Sequence, residues 1–260
     1  MLGEGFHGYS AHFLPEKDSQ MTSGDFASIF EATRPELLSY VTRLVVRHAI
    51  AAELVQEVAV RALSTATPPP AHEWRPWLFR VATRLALDYR RKHGTWRENM
   101  LLEAREAART DARFTAIFGL RGTPETKAVA REHLAVCFSC VLGALAPEQA
   151  AALLLREVYD FSLRETADWL EARETQVKNW IQQARQHMNE RYATTCALIH
   201  KQGVCYQCVE LDDSFAAGAG DPLAGTAKQL QDRLELLRRD RTHTPGPWPR
   251  LVGDLLGEMF

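Results

Sequence analysis

The amino-acid sequence predicts an all-α fold: two helical modules joined by a linker and followed by a C-terminal extension. Three observations carry that expectation. Apolar residues recur at three- and four-residue spacing in one segment after another, which is the spacing of a single helix face. No segment sustains the alternation of a half-buried strand. Proline clusters and capping residues sit where those periodic segments begin and end.

The elements follow in order. Residues 1–24 mix Gly, His and Ser with scattered aromatics and are expected to be disordered, and they lack the charged start and apolar core of a secretory signal. Asp25 to Arg47 places Phe26, Ile29, Leu37, Val41 and Leu44 on one helical face, with Pro35 expected to mark a joint. Ala51 to Ser64 is a second helix, closed by Pro68-Pro-Pro70. Trp74 to Lys92 is a third, apolar at Trp77, Leu78, Val81 and Leu85. These make a first module over residues 25–96. Residues 97–122 read as a helical linker, ended by Gly122-Thr-Pro124.

The second module, residues 123–193, opens at Thr123-Pro-Glu with a helix expected to run to Leu145. Further helices are expected over Pro147–Tyr159, after Ser162, and from Glu174 to Tyr192. Ser162 with Glu165 three residues on is a capping box. Residues 194–260 form the extension, with a short charged helix expected over Ala227–Arg241.

The whole chain is nearly neutral: 31 Lys and Arg against 33 Asp and Glu give a net charge of −2. That excludes a general nucleic-acid coat. Locally the balance reverses, since Trp74 to Arg97 holds seven basic residues and one acid, Asp88. No apolar run approaches a membrane span, so no membrane partner is expected. No nucleotide-binding loop, Ser/His/Asp arrangement or carboxylate pair points to catalysis.

Two segments carry the chemistry. Phe161 to Met188 reads as a helix-turn-helix. Leu163, Thr166, Ala167 and Leu170 face inward on its first helix, and Val177, Ile181 and Ala184 on its second. Arg173, Thr175, Gln176, Lys178, Asn179, Gln182 and Arg185 are left outward. Asn and Gln pair with adenine, Arg and Lys with guanine or phosphate, and Thr meets a thymine methyl. The competing reading is a solvated polar face. In the second segment, Trp74 to Lys92 interleaves aromatics with arginines. Bases stack on such aromatics while arginines follow phosphates. Taken singly, the aromatics fit a core better; the row Arg80, Arg84, Arg91 fits nucleic acid better.

Ala52-Glu-Leu-Val-Gln-Glu57, Trp77-Leu-Phe-Arg-Val-Ala82, Leu85-Ala-Leu-Asp88 with Arg90-Arg-Lys92, and Val177-Lys178 with Ala184-Arg185 together resemble a bacterial RNA polymerase sigma factor of the extracytoplasmic-function group. The resemblance covers about half the chain: region 2 in the first module and region 4 in the second. It implies a non-enzymatic, cytoplasmic protein that binds core RNA polymerase through its β and β′ subunits, recognises promoter DNA and helps melt it. Leu54, Val55, Gln56 and Glu57 match the helix that docks on the β′ clamp. Trp74, Arg75, Trp77, Arg80, Arg84, Asp88, Arg90 and Arg91 match the part that captures the −10 element. Arg173, Thr175, Gln176, Lys178, Asn179, Gln182 and Arg185 match the −35 recognition helix. An anti-sigma factor is a further partner the family brings.

The chain departs from the family pattern at several positions. Ala52 stands where an acid is usual, and Glu53 where Asp is. Arg84 replaces a common Asn of the −10 helix. Glu171 replaces the Gly usual in the helix-turn-helix turn. Trp180 and Gln183 replace residues that are often basic.

The cysteines stand apart. Cys137-Phe-Ser-Cys140 lies in the second module, and Cys205-Tyr-Gln-Cys208 in the extension, with Cys196 and His200 before it. Two such pairs can close a tetrahedral thiolate site for zinc. A dithiol redox switch and buried small apolar residues are the competing readings. The Cys196-x8-Cys205-x2-Cys208 spacing is similar to a tail found in a subgroup of the family. The sequence-level expectation is an alternative sigma factor needing no cofactor beyond zinc at these cysteines, with a tail that responds to metal or redox state or holds an autoinhibited form. The alternatives are a sigma-like regulator acting without core polymerase, and a thiol or metal sensor.

Overall fold

The structure, a computed structural model, describes residues 23–94, 138–139, 141–195, 230–239 and 241–242. Their α-helices are α1 (Ser23–Val45), α2 (His48–Leu63), α3 (Trp74–His93), α4 (Pro147–Glu157), α5 (Leu163–Trp169), α6 (Glu174–Thr195) and α7 (Leu230–Arg239), and residues 138–139 and 141–143 are helical as well. No strand occurs among the described residues. The residues 97–122 expected to form the linker, and all five cysteines, lie outside the described set.

Helix α1 runs through Pro35 without a break, where the sequence suggested a joint. An interior proline removes one hydrogen bond and costs about 3 kcal/mol. The helix continues because the next two turns bury Leu37, Tyr40, Val41 and Leu44 almost completely. Two residues, Val46 and Arg47, link α1 to α2, with Val46 in the left-handed region at φ 66°. A short 3-10 turn, Ala71–Glu73, then feeds α3, which ends at Gly94 with φ 80°, a conformation glycine adopts freely. Helices α1, α2 and α3 pack together around Val55, Val58, Leu78, Phe79 and Ala82.

In the second module Pro147 starts α4 at its first helical turn. The helix expected to reach Leu145 ends at Gly143 and turns through Ala144 and Leu145. The Ser162–Glu165 capping box forms in both directions: Ser162 Oγ accepts from the Glu165 N–H at 3.1 Å, and the Glu165 carboxylate accepts from the Ser162 N–H at 2.7 Å. Thr166, Ala167, Val177, Ala184 and Met188 are buried where α4, α5 and α6 meet.

The modules do not sit apart as beads on a tether. Helix α4 packs on α1 and α3, and α5 packs on α3. An aromatic chain crosses the seam. Tyr159 lies 5.1 Å from Tyr40 and 5.3 Å from Phe79, and Phe161 lies 4.9 Å from Phe79 and 4.6 Å from Trp169. Ring pairs at these separations contribute about 0.5–1.5 kcal/mol each beyond simple burial. Helix α7 packs on α6.

Candidate nucleic-acid interface

The face expected to read the −35 element is presented openly. Arg173, Thr175, Gln176, Lys178, Asn179 and Gln182 are exposed, because Val177, Ala184 and Met188 turn the opposite face of α6 into the core. Among the described residues, none bonds to the side chains of those six. Arg185 is the exception: it pairs with Glu157 at 3.0 Å and donates to Gln231 of α7 at 2.8 Å.

The turn before α6 passes through Glu171 at φ 53°. A non-glycine residue there costs about 1–2 kcal/mol. In return the chain carries a carboxylate at that corner, and Arg84 of α3 donates to it at 2.9 Å. Two positions that depart from the family pattern thus pair with each other across the seam.

The basic row of α3 is occupied rather than open. Arg75 forks onto Glu36 of α1 at 2.9 and 2.8 Å, donates to the Tyr159 carbonyl at 3.2 Å, and lies over the Phe79 and Phe161 rings. Arg91 forks onto Glu148 at 3.2 and 2.8 Å, and that hydrogen bonding raises its already high pKa. Asp88 is exposed and pairs with Arg91 at 3.2 Å. Arg80 is exposed, with no partner among the described residues.

Two of the expected −10 residues are buried. Trp74 is 2% exposed, packed 4.9 Å from Phe26 and 5.4 Å from Trp77, so its ring serves the core and offers no free face to a base. Arg90 is 4% exposed and donates to the carbonyls of Gly143 and Leu145 at 2.9 and 2.7 Å. It satisfies carbonyls at the end of a helical segment, where a cation is favoured. Burial pushes its guanidinium down to about 10, against a smaller opposing pull from Glu148. Trp77 is half-buried and keeps part of its surface outward.

On the expected polymerase-docking helix, Val55 is buried, Leu54 and Glu57 are half-buried and Gln56 is exposed. Glu57 accepts from Arg61 at 2.8 Å. Val60 and Leu63 extend the outer face of α2 at 56% and 66% exposure, an apolar surface left uncovered by the described residues.

Sequence reasoning did not single out Glu36, Arg43, Glu148, Tyr159 or Arg241. Arg43 lies inside the seam and donates to Ser39 Oγ and, at 3.0 Å, to Tyr159 Oη. Tyr40 Oη and Thr83 Oγ1 are 2.8 Å apart. Burial raises the pKa of both Tyr40 and Tyr159. A basic residue amid an apolar helix face was the one available signal for Arg43. No group of His, Cys, Asp or Glu able to hold a metal occurs among the described residues, and none of those helices is long and apolar enough to cross a membrane.

The family described as sigma-70 region 2 matches residues 29–95, and that described as sigma-70 region 4 matches residues 135–188. The chain is 30% identical over 178 residues to the protein named ECF RNA polymerase sigma factor SigG in two strains of Mycobacterium tuberculosis, CDC 1551 / Oshkosh and H37Rv. That match covers 64% of this chain and 48% of the relative, so the chain spans about half the length of those proteins. The crystal structure of Mycobacterium tuberculosis extracytoplasmic function sigma factor SigJ is 29% identical, covers 67% of this chain and 58% of its own, and has a TM-score of 0.41. Residues 29–95 and 135–188 thus resemble sigma-70 regions 2 and 4, in that order, and over part of its length the chain is similar to extracytoplasmic-function sigma factors.

Proposed function

We propose that the protein is an alternative sigma factor: it binds core RNA polymerase, reads −35 and −10 promoter elements and promotes melting, by binding and strand capture without covalent chemistry. The observation that carries this reading is the pairing of an open polar face on α6 with an arginine row on α3, in modules that match regions 4 and 2. Arg173, Thr175, Gln176, Lys178, Asn179 and Gln182 read the −35 duplex, with Arg185 joining once released from Glu157 and Gln231. Trp77, Arg80, Arg84, Asp88 and Arg91 meet the −10 strand, and Arg75 follows when α3 is freed. Leu54, Gln56 and Glu57 dock on the β′ clamp over Val55, with Val60 and Leu63 extending that contact. Work at polymerase puts the protein in the cytoplasm. Two DNA-reading modules gain affinity from each other once polymerase sets their spacing.

The test is transcription. Chain mixed with core polymerase co-migrates on a sizing column and yields a transcript from a promoter it selects. Retained DNA binding with no polymerase association and no transcript would mean the regulator reading instead. Zinc held by Cys137, Cys140, Cys205 and Cys208, with Cys196 nearby, belongs to the same proposal. Metal content of the chain falls on Cys205→Ser if these thiolates hold it.

A further inference from the structure

Four of the five arginines of α3 are held by the second module. Arg84 and Arg91 are bound by carboxylates, those of Glu171 and Glu148. A carboxylate takes the same forked edge of a guanidinium that a phosphate would take. DNA approaching this row must therefore displace protein acids that already stand in for its backbone. Arg75 and Arg90 are spent on backbone carbonyls of the second module.

The extension adds a third tie. Arg241, just beyond α7, reaches Glu36 of α1 at 3.1 Å and Asp160 of the second module at 3.0 Å. Glu36 is thus shared between Arg75 and Arg241. Arg238 donates to the Glu157 carbonyl at 3.0 and 2.6 Å and pairs with Asp160 at 3.4 Å. Gln231 of the same helix occupies Arg185 of the recognition helix. Helix α7 therefore touches the α4–α5 turn and one edge of α6, and Arg241 just beyond it reaches α1.

We propose that this is a self-masked form, in which Glu171 and Glu148 occupy the strand-capturing arginines and α7 with Arg241 clasps the two modules shut. The inference rests on the sigma-factor reading for what α3 captures. The masking itself is a property of this chain alone and needs no second protein. Opening exchanges the carboxylates for phosphates and frees Arg185 in the same movement. The Arg84–Glu171 tie is exposed on both sides, and Arg91 and Arg241 stay part-exposed in theirs although Glu36 is buried, so salt screens these ties and the clasp is set to yield to a partner.

The test uses the full chain and a labelled single-stranded DNA oligonucleotide of mixed sequence. The variant E171G/E148Q removes both carboxylates, and a glycine suits the positive φ of the Glu171 corner. R241Q removes the tail tie. E31Q/E53Q is the charge-matched control, because Glu31 pairs with Arg34 and Glu53 is exposed with no partner among the described residues. The expected result is about fivefold tighter single-strand binding for E171G/E148Q over the control, and a smaller gain in the same direction for R241Q. Small-angle scattering shows both variants more extended than the parent. Equal affinity of E171G/E148Q and control overturns the masking, and so does expansion without tighter binding. An R241Q chain as compact as the parent overturns the clasp. Co-migration with core polymerase is scored separately: if parent and variant both fail there, the sigma reading falls while the oligonucleotide result still decides the masking.

Discussion

Helices α3 and α6 are built from similar materials and used in opposite ways. Each buries one apolar face and turns a polar, largely basic one outward in sequence. In the folded chain the face of α6 stays open from Arg173 to Gln182, while most of the corresponding face of α3 is filled by Glu171, Glu148 and backbone carbonyls. The difference lies in what packs alongside. Helix α6 meets α4, α5 and α7 through its inner face and one edge. Helix α3 meets its own module on one side and the second module on the other. A basic face therefore reports what a helix is able to bind, and its neighbours determine whether that face is free.

The sharpest way to break this asymmetry is Arg90→Ala. It strips the donors from two carbonyls in the seam, and we expect a loss of about 2–4 kcal/mol in denaturant unfolding. An equivalent change on α6 has no such effect, and a loss below about 1 kcal/mol would show that Arg90 is not a strut. High pH tests the same seam. Tyr40 and Tyr159 have raised pKa values in the fold, so each phenol contributes stability that is fully present below its ordinary value of 10.0 and lost as pH rises beyond it. In a phenolate absorbance titration, two of the six tyrosines should ionise only together with unfolding; early, independent ionisation of all six would mean the seam is open.

Smaller effects separate the two faces functionally. Arg84→Ala is expected to lower open-complex yield about fivefold while leaving duplex binding nearly unchanged. Its stability effect stays under about 1 kcal/mol, because the Glu171 pair is exposed. Equal losses in both assays would remove it from strand capture. Lys178→Ala should leave stability within about 0.5 kcal/mol and flatten the salt dependence of duplex binding by about one phosphate contact. An unchanged slope would show that Lys178 does not touch the backbone.

Much of the local structure was legible residue by residue. The capping box at Ser162 and Glu165, the proline start of α4 and the inward set Thr166, Ala167, Val177 and Ala184 all follow from short-range rules, and they appear as expected. The failures share one origin. Pro35 was read as a joint because a local rule says so, whereas burial of the following turns carries the helix onward. The family resemblance put Trp74 at the −10 element while its residue type alone favoured a core, and in the fold Phe26 and Trp77 pack on its ring. Glu171 stood out only as a missing glycine; its tie to Arg84 joins residues 87 positions apart. Arg241 and Glu36 are farther apart still, and no spacing rule connects them.

Helix positions, their caps, the polar face of α6 and the basic row of α3 were determined by sequence alone, because each depends on interactions within a turn or two of chain. The folding of the second module onto α3, the burial of Arg90 against the Gly143 and Leu145 carbonyls and the pairing of Arg84 and Arg91 with carboxylates of the second module were decided by tertiary structure. These depend on pairs brought together only when two apolar surfaces, around Phe79 and Tyr159, find it more favourable to cover each other than to face water.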